Sequence, residues 1–196
     1  MSLEPVMPPY NSSDPIATFL SASSLDFLLI EMVPLARRVA TLRTAAAAAA
    51  DHADHAQDED VVADAVHLRL ELLGYRVGVG LVERFSRDRP RFNDALDIIK
   101  FLCKDLWSLL FGKNIDNLKT NHRGVYVLTD NMFRPFSRMS TEAGGQAVVR
   151  AQPFLWFPCG IVRGALAALG METVVQAEIN DLPGAVFQIK SLPAKA

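Results

Sequence analysis

Cysteine is scarce. Two in 196 residues are too few for a disulfide scaffold, and a reducing compartment is the expected setting. Long apolar runs are lacking too: every candidate is broken by charge, Pro or Gly short of roughly 18 residues, so no transmembrane helix is expected. The first twenty residues show no basic leader followed by an apolar stretch, which speaks against a secretory signal. Neither sign of charge dominates, with 20 basic against 22 acidic residues and a formal charge of −2. A nucleic-acid binder would need a basic face, so nucleic acid is excluded as the partner. Walker sequence, nucleophile elbow and zinc-type cysteine pair are all absent. Gly78-Val79-Gly80 starts like a dinucleotide fingerprint, but Glu83 stands where the third glycine belongs and no strand precedes it.

What the chain does have is a core. Half of its residues are hydrophobic and 21% are charged, the balance of one globular domain. Residues 1–22 hold four of the eleven prolines together with Asn11, Ser12 and Ser13, and read as a flexible tail. The domain is expected over 23–192. Ser23 and Asp26 resemble a capping box, and Leu25, Leu28, Met32, Leu35 or Ala36, and Val39 define one apolar face of a first helix. Pro34 should kink or break it. Six alanines and a run of acids over about 44–58 read as a low-complexity insertion dispensable for folding, because they offer no wide apolar stripe.

A second helix starts at Asp60, with Val61, Ala65, Leu68 and Leu72 on one face and Val66, Leu70 and Leu73 beside it. Gly74 suits its C′ position, and a separate short helix follows over 77–85. The pattern Phe92, Ala95, Leu96, Ile99, Leu102, Cys103, Leu106, Leu110 predicts a fourth helix buried on more than one side. Beyond Gly112 the period changes. Short strands are expected at 115–120, 124–129 and, as an edge carrying Pro135, 132–136. A last helix over 158–169 and a hairpin of 173–179 with 185–189 complete the order. Helices first and a meander after them, without βαβ alternation, predict an α+β fold with an antiparallel sheet.

Few residues suggest chemistry. His52 and His55 have a metal-like spacing, but nothing converges on them and a solvated polar run is the plainer reading. A Cys–His dyad using Cys103 or Cys159 stays open, although both thiols sit in apolar helical runs where inert cysteines are common. Gly160 and Gly164 lie four apart inside a helix at a cost of about 1 kcal/mol each. Such a cost is offset where another backbone comes close, either within the domain or from a partner. Gly78 and Gly80 pose the same choice. Arg84, Arg87, Arg89 and Arg91 form a basic cluster, which is either a solvated face or a contact for an acidic partner or anionic membrane.

Longer stretches resemble a known family. Gly74-Tyr75-Arg76-Val77-Gly78-x-Gly80-Leu81-Val82-Glu83-Arg84-Phe85 and Cys159-Gly160-Ile161-Val162-Arg163-Gly164-Ala165-Leu166 resemble the signature of the small TRAPP (transport protein particle) subunits. The stretches 96–107, 115–128 and Phe27 to Val33 are similar to the subunit-six branch in particular. Together the likeness covers about residues 23–43 and 60–190.

The resemblance implies helices packed on one side of a twisted antiparallel sheet. It implies a non-catalytic subunit, without cofactor or metal, of a vesicle-tethering complex in ER-to-Golgi and Golgi traffic. The assembled complex promotes nucleotide exchange on a Rab-type GTPase, so the link of this subunit to the GTPase is indirect. The expected location is cytoplasmic, peripheral at Golgi and endoplasmic reticulum membranes through the complex. The expected partners are a subunit-three-type TRAPP protein, as a heterodimer, and other TRAPP subunits. The family pairs through its first helices, and here those helices carry more apolar residues than one face can hide. Leu25, Phe27, Leu28, Glu31, Met32, Val61, Leu68 and Leu72 are therefore the expected partner interface, with Phe27 and Leu28 as anchors. Gly78, Gly80, Cys159, Gly160, Arg163 and Gly164 are the expected close-packing motif. The alternative is a lipid- or acyl-binding module with an apolar cavity in the same fold. In the subunit-three branch an acylated cysteine precedes the fourth helix; here the stretch is Asp88-Arg89-Pro90-Arg91-Phe92, and acylation does not carry over.

Overall fold

The structure is a computed structural model and describes residues 21–51, 59–121, 123–139 and 146–192. The tail up to residue 20, the segment 52–58 with His52 and His55, and the turn residue His122 lie outside the described residues.

Two long helices come first. Helix α1 spans Ala22–Asp51 and runs on through Pro34, which is exposed; of the expected kink or break, the break does not occur. It also continues into the alanine run, because alanine loses least on entering a helix. The expected insertion is thus helical over its first part. Helix α2 spans Glu59–Phe85 as one element of 27 residues, not two helices separated at Gly74. Glu59 and Asp60 in its first turn and Arg84 in its last complement the helix dipole.

Helix α3 (Ala95–Phe101) starts one turn later than the apolar pattern suggested, because Asp94 caps it by accepting from the Asp97 amide at 2.7 Å. A π-turn at Leu102–Leu106 leads into α4 (Trp107–Phe111). That turn shifts the helical phase, so Phe101, Leu102 and Cys103 are all buried in sequence. Gly112 closes α4 at φ +78°, a conformation open to glycine.

The sheet follows as β1 (Asn117–Thr120), β2 (Val125–Asp130), β3 (Thr173–Glu178) and β4 (Ala185–Ser191). Its order is β1-β2-β4-β3 and every pairing is antiparallel. The segment expected as a third meander strand is a 3₁₀ turn at Arg134–Phe136, with Pro135 as its second residue, a position that needs no amide donor. Helix α5 (Gln146–Ala151), a 3₁₀ turn at Gln152–Leu155 and helix α6 (Trp156–Ala168) lie between β2 and β3. Along β2 and β4 alternate side chains are buried, which places the helices over one face of the sheet. Trp107, Phe133 and Phe187 meet at ring-centroid distances of 5.1–6.0 Å and fill the space between the two layers. This is the α+β fold the sequence predicted.

Candidate partner interface

The faces of α1 and α2 are decided by α6. Gly74 and Gly78 on α2 meet Gly160 and Gly164 on α6, and each helix touches the backbone of the other. A methyl group at Gly74 or Gly78 would lie within 3.0 Å of the α6 backbone at Phe157 or Ile161. At Gly160 or Gly164 it would come as close to the carbonyls of Glu71 or Tyr75. Four glycines at four-residue spacing therefore let two helices cross without side chains between them. Arg163 closes the crossing: its Nη1 lies 3.0 Å from Glu71 Oε1 as an ion pair, and its guanidinium lies 5.3 Å from the Tyr75 ring centre. Gly80 takes no part, since a methyl group there would meet open space. The sequence pattern misplaced two glycines, taking Gly74 for a helix end and Gly80 for a contact. The i, i+4 spacing of Gly74 and Gly78 was the signal for the pair that packs.

With α6 against the stripe Val66, Leu70, Gly74, Gly78 and Val82, the opposite side of α2 faces outward. Helix α1 covers part of α2 through Ala36 and Ala40, which pack with Val66 and Leu70. The buried stripe of α1 is therefore Leu29, Val33, Ala36, Ala40, and not the face drawn through Leu28 and Leu35. The small alanines permit close helix approach, and the larger side chains are left outside.

The eight expected interface residues divide accordingly. Phe27 is 69% exposed and Leu28 58%, while Val61, Leu68 and Leu72 are exposed on α2. Glu31 is exposed and paired with Arg38 along the same helix. Leu25 is half-buried, and Met32 leans on the small core between the helices. Outside those eight, Leu42, Leu73 and Val77 are exposed as well. Leu28, Leu35 and Leu42 lie seven apart, a coiled-coil-like period that runs along the exposed side of α1. The N-terminal end of α1 is tied to the sheet layer, where Arg134 Nε donates to Asp26 Oδ1 at 2.9 Å.

Neither thiol is poised for nucleophilic work. Burial pushes Cys103 and Cys159 up to about 12, and nearby Glu71 adds to the effect on Cys159. The arginine cluster also separates. Arg84, Arg87 and Arg91 are exposed, but Arg89 turns inward, with Nη2 2.7 Å from Asp105 Oδ1 and its guanidinium 4.7 Å from the Phe101 ring centre. Among the described residues no group of three or more His, Cys, Asp or Glu could hold a metal ion, and no helix is long and apolar enough to cross a membrane.

The chain is similar to known proteins. The family description "Transport protein particle (TRAPP) component" matches residues 25–191. A trafficking protein particle complex subunit 6b of Danio rerio is 52% identical over 121 residues, 62% of this chain and 76% of the relative. The human trafficking protein particle complex subunit 6B is 51% identical over 121 residues, 62% of this chain and 75% of its own length. Among solved structures, a trafficking protein particle complex subunit 3 of Naegleria fowleri, covalently bound to palmitic acid, shares the fold. Its TM-score is 0.59 at 14% identity, over 87% of this chain and 96% of that one.

Proposed function

The chain belongs to the transport protein particle (TRAPP) component family, in its subunit-six branch, and from that premise we propose that it works through its outward α1/α2 face, as a non-catalytic assembly subunit. A TRAPP component serves vesicle transport and tethering. The finer reading is that this subunit forms a heterodimer with a subunit-three-type TRAPP protein. The pair supports assembly of a complex that promotes nucleotide exchange on a Rab-type GTPase. Its location is then cytoplasmic, peripheral at Golgi and endoplasmic reticulum membranes through the complex.

One observation carries the reading: two long helices leave Phe27, Leu28, Ile30, Leu35, Leu68 and Leu72 in solvent on a chain with an ample core. Exposed apolar surface of that extent marks an interaction site, and a stable one buries on the order of 1,600 Å² in total. A lipid-binding role gains no comparable support. The space between helices and sheet is occupied by Trp107, Phe133 and Phe187.

The test is the double variant Phe27→Asp, Leu28→Asp in co-expression with the partner. An unpaired carboxylate in an apolar contact costs several kcal/mol, enough to weaken association by about a hundredfold or more. The variant should keep its melting temperature, because both side chains face solvent, and should lose the partner in pulldown. Normal binding by a folded variant would place the interface elsewhere.

A further inference from the structure

Between the C-terminal half of α1 and the middle of α2 lies a groove of about 650 Å³. Leu68, Leu72 and Leu73 are its exposed apolar wall, and Ala40 and Ala65 keep it open because they are short. Arg43, Arg69 and Arg76 form its rim. Among the described residues, none of these three cations has a carboxylate within ion-pair distance, whereas Arg38, Arg89, Arg134 and Arg163 all do. Among the described residues no acidic side chain lines the groove. In a chain of formal charge −2, this is a local inversion of sign laid directly on an apolar surface.

We propose that the groove is the seat of a helix from the partner subunit, one that carries carboxylates on both sides of an apolar ridge. The inference rests on the pairing proposed above and gives it a chemistry. The furrow between two packed helices accepts the side-chain ridge of a third. Arginine fits the rim because its stem covers apolar surface while its planar head takes a carboxylate through two parallel hydrogen bonds. The leucines supply the buried area, and the three charges supply register and steer the encounter. A second copy of this chain suits the groove poorly, since its own α1/α2 face would bring the same three arginines against these.

The experiment uses the full chain and a subunit-three-type partner, with affinity measured at about 50 mM and about 300 mM salt. The triple variant Arg43→Gln, Arg69→Gln, Arg76→Gln is compared with the triple Arg→Lys and with wild type, folding being checked by thermal melts. Solvent-exposed ion pairs are each worth a few-fold, so the Gln variant should bind roughly tenfold more weakly at low salt. The difference should shrink at high salt, and the Lys variant should regain the salt dependence. Unchanged affinity and salt slope in a folded Gln variant would overturn the proposal while leaving the pairing intact. So would a Gln variant that keeps the partner but loses binding to phosphatidylserine vesicles, which would assign the groove to an anionic membrane. Self-association of the wild type that the Gln variant abolishes would assign it to a second copy and likewise overturn it. If wild type fails to bind the partner at all, or binds it regardless of Phe27→Asp, Leu28→Asp, the pairing itself has failed and the inference falls with it.

Discussion

The indole nitrogen of Trp107 donates to Asp130 Oδ2 at 2.8 Å, joining helix α4 to the end of strand β2 inside the core. Asp130 is fully buried. Its other oxygen accepts from Lys113 Nζ at 2.8 Å and from the Met132 amide at 3.0 Å. A buried carboxylate is tolerated only when its acceptor sites are filled, and here a cation, an indole and an amide fill them. Asp130→Ala should therefore destabilise the domain by about 1–3 kcal/mol, since it strands the buried indole and leaves the Lys113 ammonium with Asp116 alone, at 2.6 Å. Trp107→Phe should cost less in polar terms but leave a cavity. Urea denaturation of both variants tests this; a loss under about 1 kcal/mol for Asp130→Ala would mean that water replaces the carboxylate.

The glycine crossing gives opposite signs at neighbouring positions. Gly164→Ala should lose more than about 1 kcal/mol, because the new methyl meets the Tyr75 backbone and two helices must move apart. Gly80→Ala should gain about 0.5–1 kcal/mol, since nothing lies within 4 Å and alanine is the better helix former. Melting temperatures decide it. Equal shifts at the two sites would show that α2 and α6 do not touch there.

Stability should fall at alkaline pH through the thiols. Both folded-state values are raised from 9.0 to about 12. Unfolding thus releases protons above pH 9, and the stabilisation is complete below that pH and lost as pH climbs toward 12. The steepest effect is about 1 kcal/mol per thiol and pH unit. Denaturation curves at pH 7 and 10 should differ clearly for the native chain and less for Cys103→Ala, Cys159→Ala. A thiol reagent at pH 8 should react only as the chain unfolds; rapid reaction in the native state would contradict the burial.

The clamp between Asp26 and Arg134 has a local role. Arg134→Met should raise amide exchange in the first turns of α1 while the exchange of β2 and β4 stays slow. Asp26 is also approached by Arg138 at 3.6 Å, so global stability should drop by no more than about 1 kcal/mol. Accelerated exchange across the sheet would show that the clamp supports the whole domain.

Local pattern alone determined much of this protein. The alternation at 125–130 marks a strand because side chains on a pleated backbone point to alternate faces. The 3.6-residue recurrence marks α1, α2 and α6 for the analogous reason. The excess of apolar residues on the first two helices also announced an exposed apolar surface. Only tertiary structure decided which stripe is which. Periodicity states that Leu28 and Leu29 lie on different faces; it does not say that Ala36 and Ala40 meet α2 and send Leu29 inward. The same limit explains the glycines. A glycine in a helix signals space for a neighbour, but Gly74 uses that space and Gly80 does not, because α6 crosses at one and not at the other. Asp130 is the extreme case: its burial depends on Trp107 and Lys113, 23 and 17 residues away, and only the folded chain brings the three together.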